Sequence, residues 1–297
     1  MRKGLVVLHG DFGKHWLQAV KRLNIKTLGL HANPFQISVD GFLSFVEKQR
    51  KTIECLEESG VSVEYDLHAL NYLLPRSLFK DDATLFRINE KGERVADYNG
   101  CPSSERALKI IEENSYFFAE KLKQKSETYH IWTDDDMGGN VRCHCDNCRR
   151  LTATEQNLIF SRAILKGLRK YEENARLSFL LYGKENFFKK LPEGIFVEFA
   201  PFKRRHDIPL TEGNENAFFR RTAKKLIATY GRERVEVLEY FLSFDYVGFK
   251  NRPDRVSADV NFYRNLGVET LSTFIVCKEE GYLLKENFEG IEKYMLL

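Results

Sequence analysis

The stretch TLGLHANPFQISVDGFLSFVEKQRKTIECLEESGVSVEYDLHAL, residues 27 to 70, contains the unit from which the fold is predicted. A short apolar run, TLGLHA (27–32), precedes a long amphipathic segment that ends at Gly60. A second apolar run, VSVEYDLHAL (61–70), follows directly. Glycine commonly ends a helix, and short apolar runs on both sides of a helical segment are typical of parallel strands. The stretch therefore predicts one strand–helix–strand unit.

The same alternation recurs along the whole chain. Apolar strand candidates lie at residues 5–10, 27–32, 61–70, 129–135, 175–183, 194–202, 235–242 and 270–277. A helix candidate follows each of them, including a poorly defined one near 184–190. Strict alternation predicts a parallel sheet, and eight units predict an α/β fold closed into a single (β/α)₈ TIM barrel over residues 1–297. The alternative is an open doubly wound sheet, although HGDFGKH after the first strand lacks the glycine spacing of its phosphate-binding turn.

Composition narrows the class of protein. Of the 297 residues, 43% are hydrophobic and 30% are charged, and the charges nearly cancel at a formal net charge of +3. The basic runs at 203–205 and 220–225 are short and fit solvated faces, so we expect no nucleic-acid partner. No apolar stretch approaches the roughly 20 residues that span a bilayer, and Leu5 to Leu8 is shorter than a signal-peptide core of roughly seven. We expect a cytoplasmic protein without a membrane partner, and the oligomeric state stays open.

The third strand candidate carries a row of polar side chains. Because side chains alternate between the two faces of a strand, Ser62, Glu64, Asp66 and His68 share one face, opposite an apolar face. In a barrel the apolar face packs against the helices, so the polar row points inward. Buried charge has to be paired or solvated. The row therefore predicts a polar pocket at the C-terminal mouth of the barrel.

Other strand candidates carry polar or aromatic residues towards the same end. The residues expected to bind substrate are His9, His31, Glu64, Asp66, His68, Trp132 and Tyr182. The candidate catalytic carboxylates are Asp134, Asp135, Glu198 and Glu239. Any one of them alone fits a paired structural residue, but their joint position at strand ends favours a pocket.

A pocket of carboxylates and aromatic rings fits a carbohydrate substrate. Glycoside hydrolysis needs a protonated acid beside the leaving oxygen and a second group at the anomeric carbon. Adjacent carboxylates such as Asp134 and Asp135 suit this chemistry, because one ionised group raises the pKa of its neighbour. A run that also includes Asp136 fits a polar loop or a weak cation site equally well. The sequence favours a glycoside hydrolase.

The segment CHCDNC (143–148) places three cysteines in the spacing C-x-C-x-x-C. Cys143, Cys145 and Cys148 can face one Zn²⁺, whose structural sites are tetrahedral and rich in sulfur. Cys101 is expected to lie at the same mouth as the fourth ligand, and His144 is the alternative. A closed site of four cysteines leaves no position for water, so we expect a structural zinc that fastens the loop after the fourth strand. Reduced thiols or a disulfide are the alternatives, and six cysteines in a chain of this length suit a reducing compartment.

Five segments in this order, VEYDLHALNYLLPRSLF, NGCPSS, YHIWTDDD, CHCDNCRRLTATEQ and VEFAPF, resemble the domain of unknown function 4838 family. That family is similar to TIM-barrel glycoside hydrolases, including the family 163 endo-β-N-acetylglucosaminidases and, more distantly, the family 20 hexosaminidases. The resemblance implies that Asp134 orients the acetamido group of an N-acetylhexosamine, which attacks its own anomeric carbon. Asp135 stands where the hexosaminidase-like members have a Glu as general acid. Glu198 or Glu239 is the alternative acid, base or nucleophile.

Two other functions are compatible with the same residues. The first is a divalent-metal sugar isomerase or epimerase, with ligands drawn from His9, His31, Glu64, Asp66, His68, Glu198 and Glu239. The second is a non-catalytic carbohydrate-binding barrel. The pocket interpretation requires that Glu64, His68, Asp134, Glu198 and Glu239 converge at one mouth.

Overall fold

The computed structural model describes residues 1–33, 36–135, 141–183, 190–243, 253–276 and 285–297. Eight strands, each parallel to its neighbours, form one closed barrel in sequence order. Their bounds are β1 Arg2–Leu8, β2 Thr27–His31, β3 Ser62–His68, β4 Thr128–Trp132, β5 Arg176–Leu181, β6 Ile195–Phe199, β7 Val235–Ser243 and β8 Thr270–Val276. The predicted (β/α)₈ barrel is confirmed.

Helices connect the strands around the outside of the barrel. Those described are α1 Trp16–Leu23, α2 Val39–Lys48, α3 Arg50–Glu58, α4 Leu70–Leu73, α5 Glu105–Leu122, α6 Ala153–Tyr171, α7 Ala217–Tyr230, α8 Pro253–Asn265 and α9 Lys285–Leu296. The helix expected between β2 and β3 is divided at Gln49, whose ψ of 2° departs from helical geometry. The helix expected near 184–190 falls on residues 184–189, outside the described part. None of the described helices combines the length and apolar composition needed to cross a bilayer.

The helices that flank β4 begin with sequence-encoded caps. The Ser104 hydroxyl accepts a hydrogen bond from Ala107 N at the start of α5. Thr152 and Glu155 form a reciprocal capping box at the start of α6. The two helices pack closely at Gly167, where a Cβ atom would lie 2.1 Å from the carbonyl oxygen of Glu112. These features fix both chain segments that lead to the β4 end of the mouth.

The pairing register sets the depth of each inward side chain. His68 pairs with Trp132 at the ends of β3 and β4, and therefore lies at the mouth. Glu198 pairs with Glu236, the second residue of β7, and therefore lies deeper. The outward side chains Val63, Tyr65 and Leu67 of β3 pack in the main hydrophobic core with the helices. The predicted alternation of β3 is thus confirmed.

Candidate active site at the mouth and a four-cysteine cluster

A cavity of about 280 Å³ opens at the C-terminal ends of the strands. Five of the residues predicted for the pocket line it, namely His31, His68, Trp132, Asp135 and Tyr182. Among the described lining residues, Asp135 is the carboxylate. We call this space the mouth cavity.

Hydrogen bonds hold two side chains of the mouth cavity in place. His68 Nδ1 lies 2.6 Å from the carbonyl oxygen of Thr133, and because a carbonyl only accepts, Nδ1 carries the hydrogen. In the neutral ring the Nε2 atom of His68 is then an acceptor. Trp132 donates from Nε1 to Ser178 Oγ at 2.8 Å, and its ring lies 5.0 Å from that of His68. The cavity therefore offers a fixed aromatic face beside a fixed imidazole.

His31 is a neutral imidazole at the same cavity. Burial lowers the pKa of His31 to about 3, and the nearby His68 and His9 act in the same direction. Its ring meets Phe274 edge-on at 5.0 Å. Near neutral pH this ring can therefore exchange hydrogen bonds with a ligand but cannot contribute a charge.

Asp134 lines, together with Asp135, a smaller cavity that adjoins the mouth cavity, and it is also engaged in several hydrogen bonds. Its Oδ1 accepts a hydrogen bond from Asn71 N at 3.0 Å, and its Oδ2 accepts one from Asn99 N at 2.6 Å. Arg76 forms an ion pair with the same carboxylate, and Asp134 N donates to Asn99 Oδ1 at 2.9 Å. All of these partners lie in the chain between β3 and α5. Asp134 fastens the end of β4 to that segment, and Asp136 lies outside the described residues.

Glu64, Asp66 and Glu198 point inward, as expected, but they lie below the mouth cavity. With His130 and Glu236 they line an enclosed space of about 10 Å³ inside the barrel, which we call the interior cluster. His130 contacts Glu198 through Nδ1 at 2.9 Å and Glu64 through Nε2 at 3.3 Å. Because both partners are carboxylates, each ring nitrogen donates, and the ring is an imidazolium.

Proton affinities in the interior cluster follow from burial and charge. Burial lowers the pKa of His130, but the charge of Glu198 and the hydrogen bonds to Glu198 and Glu64 outweigh it and raise that pKa well above its ordinary value. Burial raises the pKa of Asp66 to about 8, and the charges of Glu198 and Glu64 act in the same direction. Asp66 Oδ1 is buried without a hydrogen-bond partner among the described residues. The cluster therefore keeps both a cationic ring and a protonated carboxyl near neutral pH.

Glu239 faces away from the barrel interior. It accepts hydrogen bonds from Arg204 Nε at 3.1 Å and from the Tyr263 hydroxyl at 2.6 Å. Arg204 also donates to Asp259 Oδ2 at 2.8 Å, and the Glu239 side chain is 0% exposed. The expectation that Glu64, Glu198 and Glu239 converge with His68 and Asp134 at the mouth is wrong, since Glu64 and Glu198 lie in the interior cluster. Glu239 shares the outward face of β7 with Val237, so strand alternation places it among the helices.

His9 is also displaced from the mouth cavity. It starts a short 3₁₀ turn after β1, and its ring packs edge-on against Phe45 of α2 at 5.8 Å. Sequence reasoning missed Tyr240 and Phe274, whose rings line the cavity. The alternation of side chains along β7 and β8 would have identified both residues, because it places each ring on the inward face of its strand.

Four cysteines lie together beside the β4 end of the mouth. Within the described ranges, one group of His, Cys, Asp or Glu side chains has three or more ligand atoms mutually within 4.8 Å, and it consists of Cys101, Cys143, Cys145 and Cys148. We call it the cysteine cluster. The candidate histidine and carboxylate ligands of an isomerase metal do not form such a group in these ranges.

The sulfur positions fit a tetrahedral metal ion. Cys101 Sγ lies 3.7 Å from Cys143 Sγ, 3.8 Å from Cys145 Sγ and 3.9 Å from Cys148 Sγ. Four sulfurs bound at about 2.3 Å to one tetrahedral ion are separated by about 3.8 Å. Hydrogen bonds from Cys143 and Cys148 lower the pKa of Cys101, and the same contacts raise the pKa of Cys143 and Cys148. His144 instead lies 3.3 Å from Glu90, so Cys101 is the residue placed as the fourth ligand.

One glutamine holds the backbone around the cysteine cluster. Gln156, in the first turn of α6, accepts from Cys143 N at 2.7 Å and donates to the carbonyl oxygens of Cys143 and Cys148 at 2.9 and 3.0 Å. Ile88 N donates to Cys143 Sγ at 3.4 Å. Such outer contacts orient metal ligands. The cluster could hold a metal ion without large rearrangement.

No family model matches the sequence, and no curated protein matches it. The resemblance to the domain of unknown function 4838 family therefore stays a prediction. Several solved structures share the fold. The clostridial cellulose synthase subunit Z of Clostridioides difficile is 11% identical with a TM-score of 0.56, and the match covers 100% of this chain and 98% of that one.

Two further solved structures are named as glycan-cleaving enzymes. The endo-1,4-β-D-mannanase of Thermotoga petrophila is 12% identical with a TM-score of 0.56, and the match covers 99% of each chain. A family 5 lichenase from a Caldicellulosiruptor species is 11% identical with a TM-score of 0.56, covering 96% of this chain and 84% of that one. At these identities the likeness shows the barrel fold alone.

Proposed function

We propose that the protein is a glycoside hydrolase that cleaves its substrate in the mouth cavity, with Asp135 as the acid–base residue. The observation that carries this proposal is the position of Asp135, the carboxylate among the described residues of that cavity, beside Trp132, Tyr182 and His68. Solved barrels of similar fold include enzymes named as a mannanase and a lichenase, which adds support from fold alone.

The cavity matches the chemistry of a sugar ring. Trp132 and Tyr182 offer aromatic faces on which the C–H face of a sugar can stack. His68 Nε2, left as an acceptor by the bond from Nδ1 to Thr133, can accept a hydrogen bond from a sugar hydroxyl. His31 is neutral and adds a second imidazole that can form a hydrogen bond with the sugar.

Among the residues that the structure describes, the placement of the other two candidate carboxylates favours an N-acetylhexosamine as the substrate. Glu198 lies in the interior cluster and Glu239 lies among the helices, so neither reaches the mouth cavity. In a substrate-assisted reaction the substrate supplies the second group itself. The acetamido oxygen attacks the anomeric carbon while Asp135 gives its proton to the departing glycosidic oxygen. Asp135 then takes a proton from the water that opens the cyclic intermediate.

We also propose that Zn²⁺ occupies the cysteine cluster and has a structural role. The sulfur separations fit a tetrahedral ion, and four cysteine ligands leave no open position at which water could react. An ion of this kind would fasten the loop after β4. A cluster of reduced thiols also favours a cytoplasmic location.

The test is the hydrolysis of paired nitrophenyl glycosides, each N-acetylhexosaminide beside its hexoside, together with N-acetylated oligosaccharides for an endo-acting enzyme. We expect turnover of an N-acetylated member, and a loss of about 10²–10⁴-fold in Asp135→Asn. Asp146→Asn, at a side chain that is 89% exposed, is the matched control and should keep full activity.

Three results would contradict the proposal. Sugar binding without turnover, unchanged in Asp135→Asn, would indicate a binding barrel. Isomerised sugar formed in a chelator-sensitive reaction that Mn²⁺ restores would indicate the isomerase. Equal turnover of acetylated and unacetylated sugars would remove the acetamido group from the mechanism.

A further inference from the structure

The chain between β3 and α5, residues 69–104, touches the loop after β4 at several places, and two of them bear on the mouth. One is the cysteine cluster, to which this segment contributes Cys101 and the loop contributes the other three thiols. The other is Asp134, whose carboxylate accepts hydrogen bonds from Asn71 and Asn99 and pairs with Arg76. The mouth residue Asp135 directly follows this second point. The position of Asp135 therefore depends on a segment that is remote in sequence.

Asn99 forms the centre of the second contact. Its backbone N–H donates to Asp134 Oδ2 at 2.6 Å, and its side-chain Oδ1 accepts from Asp134 N at 2.9 Å. Arg76 Nη1 donates to the Asn99 carbonyl oxygen at 2.7 Å. Asn99 has φ of 48° and is 4% exposed, and asparagine tolerates this left-handed conformation better than most residues. The two-bond contact needs both this backbone conformation and this side chain.

A short, tightly packed link joins Asn99 to the cysteine cluster. Only Gly100 separates Asn99 from Cys101 in the chain. A Cβ atom on Gly100 would lie 2.7 Å from Leu74 Cδ2, and Cys101 N donates to Leu85 O at 2.9 Å. A link without free space transmits a displacement of Cys101 to its neighbours.

We propose that Asn99 is a positioning residue that couples metal binding in the cysteine cluster to the placement of Asp135 in the mouth cavity. The inference rests on the proposed role of Asp135. With the metal bound, Cys101 is fixed and Asn99 holds Asp134 at the end of β4. Without the metal, the thiol contacts loosen and the hold on Asp134 weakens. Asp135 then loses its orientation and the surroundings of Trp132 change, while the rings that bind sugar remain in the cavity.

The first test is Asn99→Gly. Glycine adopts a φ of 48° without strain and keeps the backbone bond to Asp134, so the substitution removes only the side-chain contacts. Bound zinc should be unchanged, kcat should fall about tenfold to a hundredfold, and KM should change little, since misplacement of a reacting group affects the chemical step. Tyr98→Ala, at the neighbouring position whose side chain is 38% exposed, is the control. Unchanged kcat in Asn99→Gly, or equal changes in kcat and KM, would overturn the proposal.

The second test does not depend on catalysis. The chain has two tryptophans, Trp16 in the core and Trp132 in the mouth cavity, so fluorine-labelled tryptophan gives one reporter for each place. Thr133 links Trp132 to Asp134 in the chain and also holds His68, which lies against the Trp132 ring. Removal of zinc with a chelator should shift the fluorine signal of Trp132 and leave that of Trp16 in place. Asn99→Gly should show the Trp132 shift while zinc is still bound.

A pair of cysteine variants tests whether loss of the metal from the cysteine cluster affects the mouth cavity. Cys145→Ser removes one sulfur of the cluster, whereas Cys55→Ser changes an exposed cysteine on α3 outside it. We expect Cys145→Ser to lose zinc, to lower kcat and to shift the Trp132 signal, and Cys55→Ser to do none of these. Loss of zinc with an unchanged Trp132 signal would overturn the coupling. A protein without glycosidase activity whose Trp132 signal responds to zinc would leave the coupling standing and remove the proposed function instead.

Discussion

The mouth cavity and the interior cluster lie in the same barrel but have opposite chemistry. The interior cluster packs four carboxylates around His130 in a space of about 10 Å³. The mouth cavity, about 280 Å³, is lined mostly by rings and aliphatic side chains, together with Asn33, Lys203 and one described carboxylate, Asp135. Buried charges have to satisfy one another, so the interior groups are committed to their own contacts. The proposed acid–base residue of the mouth, Asp135, instead directly follows Asp134, which a second segment holds in position.

The largest effect on stability is expected from Glu198→Ala. His130 is an imidazolium between Glu198 and Glu64, and the variant removes one of its two partners. Loss of one partner of a buried ion pair costs about 3–5 kcal/mol in the free energy of unfolding. Urea unfolding followed by circular dichroism measures this. A loss below about 1 kcal/mol, the range of an exposed pair, would show that the interior cluster does not hold the charge as described.

A smaller loss is expected from Glu239→Gln, which tests the outward placement of this residue. The amide keeps the shape but weakens the contact with Arg204, so the free energy of unfolding should fall by about 1–3 kcal/mol. The kcat of the folded variant should stay at the wild-type value. A folded Glu239→Gln variant without turnover would mean that Glu239 does act in the mouth.

A pH effect distinguishes the interior cluster from the mouth. Burial raises the pKa of Asp66 to about 8, whereas an unfolded chain gives an aspartate its ordinary pKa of about 3.9. Between these values the folded state binds the extra proton, so the contribution of Asp66 to stability falls as the pH rises through this window. The urea midpoint should therefore be higher at pH 6 than at pH 9. Asp66→Asn should remove much of that difference, and an identical pH profile in the variant would contradict the assignment.

The smallest effect is expected at the aromatic lining of the mouth. Tyr240→Ala removes one ring from the cavity and should weaken sugar binding by about 1 kcal/mol, about fivefold in Kd, in protein that is still folded. Tyr171→Ala, at an exposed ring at the end of α6, is the control. Calorimetric titration with the best substrate analogue measures the Kd of the Tyr240→Ala and Tyr171→Ala variants. Both variants also carry Asp135→Asn to prevent turnover. Equal affinities would place the sugar elsewhere.

The barrel could be predicted from local pattern because each unit repeats the same physical requirement. Apolar runs flanked by amphipathic segments have to bury one face of each helix and both faces of each strand. Alternation also placed the polar row of β3 correctly, since Glu64 and Asp66 face inward and His68 reaches the mouth. The proximity of Cys101 to the other cysteines followed from the order of the loops around a closed barrel.

The division between mouth and interior could not be read from the sequence. Depth in the barrel depends on the register between strands, and register places Glu198 beside Glu236 rather than at the mouth. The outward position of Glu239 is stable only because Arg204, 35 residues away in the chain, reaches it. The position of Asp134 likewise depends on a hydrogen bond from Asn99, which lies 35 residues before it in the chain. Such pairings arise from tertiary structure, and no local pattern encodes them.

The most direct test of where the chemistry takes place compares Asp135→Asn with Glu198→Gln on the N-acetylated substrate that the wild type cleaves best. Both variants replace a carboxylate by an amide of the same shape, one in the mouth cavity and one in the interior cluster. We expect Asp135→Asn to lose turnover by about 10²–10⁴-fold and folded Glu198→Gln to keep it, with the loss in Glu198→Gln confined to stability. Full turnover in Asp135→Asn together with no turnover in folded Glu198→Gln would contradict this expectation and place the chemistry inside the barrel.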